Sequence, residues 1–376
     1  DELWQKPGVH PAATVLATGD DQPVTLVTEF GKGRGFTLLL GHSAAYMEVP
    51  GFQALLCNGV EWAATGQVTP RDVLQPLATY EYGQNRAILL EAAALAQTAP
   101  RETAPKLAAL LDSDATLDGK KFACEQLGLI GTAAEVPALA KQLSNPELAL
   151  AARSALERIP GEEPLAALRA ALPGATGPLR QGIINSLGAR GDAQAVPLLA
   201  GLLPDSADAL AAIGTQPALE ALQAAKPQPA AALLRCALKL RDVAVLEKLS
   251  AADQPKAIRV AAFVARVSAL GDRGGETVLA ALSGSDPALQ VAAIGLLRGS
   301  AVVKTAAESL NRLPADVQVP MLAALARSGE AVALPAVTQA ASSQDPPVRR
   351  AAIAAIGMLG DASSVPVLLR LLAAAE

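Results

Sequence analysis

Aromatic side chains are scarce in this sequence: they make up 3% of 376 residues, although hydrophobic residues reach 51%. The apolar content is therefore mostly Ala and Leu, a composition suited to closely packed helices rather than to a β-sandwich. Histidine is nearly absent, with only His10 and His42, and cysteine is represented by Cys57, Cys124 and Cys236 alone. Three distant cysteines form neither a disulfide framework nor a zinc-ligand spacing, and they read as small buried hydrophobes. No block of Lys and Arg stands out against a net charge of -5, which argues against a nucleic-acid groove. No run of about 18 apolar residues is free of charge and proline, so no membrane-spanning helix is expected. No HxxxH, CxxC, GxSxG or EF-hand pattern occurs, and no cofactor or metal is expected.

What aromatics there are lie early. Trp4, Phe30, Phe36, Tyr46, Phe52, Trp62, Tyr80 and Tyr82 precede residue 83, and only Phe122 and Phe263 follow. This break divides the chain into residues 1–69, a linker at 70–79, and 80–376.

In the first part, Ala12 to Thr18 is β-prone and ends at the turn signal Gly19-Asp20-Asp21. Pro23 to Phe30 and Phe36 to Leu40 read as strands joined in a hairpin across Gly31-Lys32-Gly33-Arg34-Gly35. The second is almost continuously apolar, as in a strand covered on both faces. Pro50 to Ala64 carries apolar residues at helical spacing. So few elements do not close a core alone, and a missing N-terminal segment is expected to complete the sheet. The chain opens on Asp1 rather than Met and reads as a processed or truncated product. His42 follows the strand and precedes the helix, the carboxyl-end position where open α/β sheets bind ligands. Its imidazole suits a general base or a metal ligand. The glycine-rich loop lacks the Ser/Thr and the strand-to-helix setting of a phosphate loop, and it reads as a turn.

Several segments here carry a family resemblance: Asp1-Glu2-Leu3-Trp4, Gly31-Lys32-Gly33-Arg34, Leu40-Gly41-His42, Gly51-Phe52-Gln53-Ala54-Leu55-Leu56 and Gly59-Val60-Glu61-Trp62. In order and spacing they resemble the C-terminal third of a ThuA-like (trehalose-utilisation) domain, with Trp4 where that family usually has Tyr. The resemblance implies part of a flavodoxin-like α/β fold related to class I glutamine amidotransferases. It also implies a carbohydrate substrate, such as a disaccharide or its keto derivative. His42 then matches the place of the catalytic histidine, and Arg34, Asp1 and Glu2 are candidate ligand-binding residues.

The longer part is periodic. Gly131, Gly161 and Gly191 are thirty residues apart, and Gly329 and Gly360 lie close to that interval. Gly357-Met358-Leu359-Gly360-Asp361 leads to Val365-Pro366-Val367-Leu368, as Leu187-Gly188-Ala189-Arg190-Gly191-Asp192 leads to Val196-Pro197-Leu198-Leu199. Asn145-Pro146, Asp286-Pro287 and Asp345-Pro346 pair a capping residue with a proline suited to the first helical turn. Each unit is a helix–turn–helix that buries its apolar face only by stacking on neighbours. Asp345-Pro346-Pro347-Val348-Arg349-Arg350-Ala351-Ala352 and the Gly-Asp…Val-Pro text are similar to HEAT repeats of the PBS-lyase HEAT-like type, a short bacterial form. About nine or ten units are expected.

Departures are expected at Asp205 to Ile213, a shortened helix; at Gly271 to Gly275, a loose turn; and in 296–316, which lacks the Gly-Asp turn. Leu371 to Glu376 lacks the polar outer face of a terminal repeat, so further repeats or another domain are expected to follow.

The expected fold is mainly α: an α-solenoid of HEAT-like repeats with a small N-terminal α/β piece. The expected function is a protein-interaction scaffold, binding protein or peptide on the concave face, joined to a ThuA-like segment that is catalytically incomplete here. Two alternatives stand beside it. One is a sugar-metabolism enzyme supported by the solenoid; the other is a bilin lyase-like chromophore binder. Arg259, Arg266, Arg349 and Arg350 are helix-surface candidates, read first as members of ion pairs within the array or as solvated positions. The resemblances imply a bacterial, soluble protein of the cytoplasm or periplasm.

Overall fold

The computed structural model describes residues 8–69 and 72–373. The chain folds as two compact units, Asp1–Ser186 and Leu187–Glu376.

The first unit begins with an antiparallel sheet of β1 (Ala13–Gly19), β2 (Gln22–Phe30) and β3 (Gly33–Leu38), in that spatial order. Both hairpins have two-residue loops, because Gly19 pairs with Gln22 and Phe30 with Gly33. Asp20 and Asp21 both take positive φ, 46° and 60°, the backbone of the tight turn that matches strand twist. Aspartate tolerates it because its short side chain bonds locally. The hairpin expected across the glycine-rich stretch is present, with Gly31 at φ 59°.

Helix α1 (Ala44–Met47) precedes α2 (Pro50–Thr65), which lies across β3. A Cβ placed on Gly59 would sit 2.2 Å from the Phe36 ring, so the absent side chain is what lets α2 reach the sheet. Contrary to the sequence reading, β3 is not covered on both faces. Thr37 is exposed, while Phe36 and Leu38 are half-buried, because α2 covers one side only. Nor is the sheet a parallel, doubly wound one: among the described residues every strand pair is antiparallel. Residues 72–80 pack rather than dangle. Leu74, Leu77 and Tyr80 are buried, and a Cβ on Gly119 would meet the Leu77 carbonyl oxygen at 2.1 Å.

Helix pairs follow. In the first unit these are α3 (Ala87–Thr98) with α4 (Pro100–Leu111), α5 (Leu117–Ile130) with α6 (Val136–Gln142), and α7 (Ala149–Arg158) with α8 (Glu163–Ala171). Helix α9 (Gly177–Ala189) crosses the boundary between units and is followed by α10 (Val196–Ala200). The second unit continues with α11 (Ala207–Ile213), α12 (Gln216–Ala224), α13 (Ala230–Leu240), α14 (Val243–Leu249), α15 (Lys256–Leu270) and α16 (Gly274–Ser283). It is completed by α17 (Pro287–Gly295), α18 (Ser300–Ser309), α19 (Ala315–Ser328), α20 (Leu334–Ala340), α21 (Pro346–Leu359) and α22 (Val365–Ala373). From α3 onward the described residues thus form twenty α-helices in succession.

Local chemistry sets the boundaries. The Asp345 side chain accepts a hydrogen bond from the Val348 amide at 3.0 Å, and Pro346 occupies the first turn of α21. Asp286 caps α17 in the same way, through Ala288 and Leu289. Second helices are approached through short 3-10 turns, such as Ala193–Ala195 and Ala362–Ser364, capped by Asp192 and Asp361. Within each unit first helices pack on first helices, as α5 on α7 and α19 on α21, and second on second, as α6 on α8 and α16 on α18. Leucines fill the seam: Leu127, Leu139, Leu156 and Leu168 are fully buried, each worth about 1.5–3 kcal/mol relative to exposure.

Helix α11 is short, as expected, and Gly214 at φ 64° ends it. Two details differ from expectation. Asn145-Pro146 does not start a helix directly; Asn145 bonds the Glu147 amide in a local turn, and α7 starts at Ala149. Gly271 to Gly275 is no loose turn. Gly271–Arg273 is a 3-10 turn running straight into α16, with Gly274 and Gly275 buried against Val267 and Thr305.

Candidate binding groove

Beyond β3, His42 is exposed in the loop before α1. The preceding Gly41, at φ 92°, leaves room for the Phe52 ring, which a Cβ would approach to 2.7 Å. Arg34 enters β3 at its other end, roughly 13 Å of strand away. Its guanidinium is turned to the C-terminus of α2, where Nε donates to the Trp62 carbonyl at 3.1 Å and Nη2 to the Ala64 carbonyl at 3.3 Å. Gly66, at φ 80°, ends that helix and leaves space for the guanidinium. Arg34 therefore acts as a cationic cap on open helix carbonyls. Asp1 and Glu2 lie outside the described residues. His10 is exposed, its Nδ1 accepting from the Ala12 amide. No cluster of three or more His, Cys, Asp or Glu able to hold a metal occurs among the described residues.

The surface arginines of the repeats are largely tied down. Arg259 pairs with Asp286 at 2.9 Å and donates to the Gln254 carbonyl. Arg266 pairs with Glu247 at 2.7 Å, and Arg349 donates to the Ser343 carbonyl at 2.8 Å. Arg350 is exposed. The ion-pair reading of Arg259 and Arg266 holds. Arg259 also holds the Asp286 carboxyl below its ordinary value, chiefly through their hydrogen bond.

A concave surface lies elsewhere, on the first-helix side of the first unit. Two hollows of about 560 Å³ each share Glu125. One is lined by Tyr80, Tyr82, Arg86, Leu89, Lys121 and Phe122, and so gathers three of the chain's ten aromatic residues. Tyr82 is 90% exposed; its amide donates to Asp118 at 2.8 Å, which fixes its backbone on the start of α5. The other hollow runs between α5 and α7 over a floor of Gly128, Ala151 and Ala155. A Cβ on Gly128 would sit 3.1 Å from Ala155 Cα, so the small residues let the helices approach while the larger side chains form the rims. Leu129 and Leu150 are exposed large apolar rim residues. Arg158 and Ser154 add polar groups at the α7 side. Beneath them, burial pushes the Cys124 thiol up to about 12, which makes it inert rather than nucleophilic.

The chemistry of this groove is that of contact: apolar rims, aromatic faces and a few charges of both signs, with no nucleophile–base pair. Sequence reasoning did not assemble it. The one available signal was Tyr80-Glu81-Tyr82, an aromatic pair at the very edge of the helical region of an aromatic-poor chain.

Comparisons with known proteins give one family match: residues 303–376 match the family described as HEAT repeats. No curated protein matches the chain. Among solved structures, human deoxyhypusine hydroxylase in complex with glycerol is similar at 22% identity, covering 62% of this chain and 98% of that one, with a TM-score of 0.28. The chain is thus mainly helical, and its residues 303–376 match HEAT repeats.

Proposed function

We propose that the chain is a protein-interaction scaffold that takes a short linear peptide segment of its partner in the groove along α3, α5 and α7. The α-solenoid reading of residues 80–376 belongs to this proposal. One observation carries it: two hollows joined at Glu125 form an open surface with Tyr82, Leu129 and Leu150 exposed along it. Large exposed aromatic and aliphatic side chains around a small-residue floor suit the anchoring of alternate apolar side chains of a peptide. Arg86, Glu125 and Arg158 supply orientation by charge. The test is selection of random displayed peptides on the full chain. The reading requires a recurrent apolar motif whose binding falls at least tenfold in Tyr82→Ala and in Leu150→Glu. Selected peptides indifferent to both substitutions would remove the groove as the site.

A second reading is a carbohydrate-directed activity of residues 1–69, resting on the ThuA-like resemblance. Exposure of His42 at the end of β3 favours it. Turnover or binding of a disaccharide or its oxidised form that is lost in His42→Ala would support this reading; no thermal shift with such sugars would count against it.

A further inference from the structure

The two hollows of the groove continue into a third. It measures about 450 Å³ and opens at the starts of α7 and α9, where Pro146, Leu150, Pro178 and Leu179 line it. Leu150 also lines the hollow between α5 and α7. Glu125 in turn lines both that hollow and the one between α3 and α5. The groove is therefore three clefts in a row, one at each step from a first helix to the next.

Helix packing sets the spacing of the clefts. α3 packs on α5 and α5 on α7, and packed helices stand about 8–10 Å apart. A Cβ on Gly128 would lie 3.1 Å from Ala155 Cα, so α5 and α7 approach closely. A polyproline II segment turns once in three residues and rises about 9 Å in doing so. Its residues i, i+3 and i+6 share one face, in step with the clefts. A β-strand returns to the same face at every second residue, about 7 Å on, and loses step by the third cleft. An α-helix returns at every seventh residue, about 10 Å on, but its apolar stripe would lie across the charged Glu125 on the ridge.

Charge points the same way. A proline-rich segment offers backbone carbonyl acceptors and few N–H donors. The first two clefts supply donors: Arg86 and Arg158 are exposed, with Tyr82 and Lys121 beside Arg86. Of the acids there, Asp118 already accepts from the Tyr82 amide. The rings of Tyr80, Tyr82 and Phe122 in the first cleft suit the packing of a proline ring. No residue lining the third cleft is charged, so that end takes an apolar side chain. We infer that the bound segment of the partner is a proline-rich polyproline II helix, with residues i, i+3 and i+6 seated in the three clefts. The inference rests on the groove being the binding site, and it sharpens alternate anchors to every third residue.

The test starts from random displayed peptides selected on the full chain, and titrates one synthetic winner with its single-alanine forms. Winners are expected to repeat proline or an apolar residue with period three. Alanine at each of the three anchors should weaken binding about tenfold, and alanine between anchors should have little effect. Thr176→Arg and Ser144→Arg place a cation at the third cleft on exposed positions that leave the fold intact. Each should weaken the winner about tenfold and leave unchanged the peptide that already has alanine at that anchor. Winners that are lost in Tyr82→Ala but whose anchors fall at every second residue, or at i, i+3, i+4 and i+7, overturn the inference and keep the groove. Winners indifferent to both Tyr82→Ala and Leu150→Glu remove the groove itself, and the inference with it.

Discussion

The Arg349 guanidinium reaches back from the first turn of α21 and donates to the Ser343 carbonyl at 2.8 Å, tying the helix to the loop that precedes it. The same tie recurs at equivalent positions: Arg259 to the Gln254 carbonyl at 2.9 Å, Gln290 to Gly284 at 2.8 Å, and Gln318 to Leu313 at 2.6 Å. Arginine and glutamine do one job here, which needs an N–H donor on a long side chain and not a charge. Arg349→Ala is expected to destabilise the C-terminal helix pairs by about 1 kcal/mol. Arg349→Gln is expected to restore most of that loss. Urea unfolding followed by circular dichroism measures both, and a glutamine variant as weak as the alanine one would show that the charge matters.

Asp286 combines a helix cap with an ion pair. Its carboxyl is held below the ordinary value of 3.8 by the Arg259 hydrogen bond and, with it, the Ala288 and Leu289 amides. A depressed folded pKa stabilises at pH above the unfolded value, and the contribution is lost as pH falls through the folded value. Asp286→Asn keeps a capping oxygen but removes the charge. The melting temperature of wild type should exceed that of the variant at neutral pH, and the gap should close as the pH is lowered below about 4. A gap independent of pH would assign the effect to capping geometry alone.

At the N-terminal sheet, Gly59 faces the Phe36 ring where a Cβ would fall 2.2 Å away. Gly59→Ala should push α2 off β3 at a cost of about 1–3 kcal/mol, the usual range for overpacking. Phe36→Leu in the same chain should relieve part of it. Hydrogen exchange at the β3 amides reads the opening directly; unchanged protection in Gly59→Ala would mean that the sheet and helix are not held through this contact.

The thiols differ by burial. Cys124 is fully buried with its pKa raised to about 12, Cys236 is buried with its pKa also raised, mainly by desolvation, and Cys57 is exposed. A disulfide reagent at pH 8 should modify Cys57 rapidly in the folded protein and reach Cys124 and Cys236 only after unfolding. Rapid native-state labelling of Cys124 would contradict the packing of α5 on α7.

The repeat punctuation was legible because it is local. Asp345, Pro346, Gly360 and Pro366 act within a few residues of themselves, so capping and turn chemistry locate α21 and α22 from the text alone. Asn145-Pro146 misled because an Asx turn delays the helix by a few residues, and both outcomes satisfy the same side chain. Gly274 and Gly275 looked like slack, but their small size serves contacts, Gly274 with Val267 and Gly275 with Thr305 on α18, far along the chain. Arg34 illustrates the limit at a site. Its place on the strand leading to His42 made it a ligand candidate, and the hydrogen bonds its guanidinium donates go to carbonyls about thirty residues away. The groove was hidden for the same reason: Leu129 and Leu150 come together only when α5 packs on α7, and Tyr82 lines the hollow next to theirs, which shares Glu125.

The central claim is that the first-helix side of α3, α5 and α7 is the binding surface. Hydroxyl-radical footprinting of the full chain, with and without a selected peptide, tests it most directly. Oxidation of Tyr82, Leu129 and Leu150 should slow in the complex, while exposed Phe30 and Leu372 are unaffected. Protection confined to Phe30 or to the second helices, with Tyr82 and Leu150 oxidised at the free rate, would contradict it.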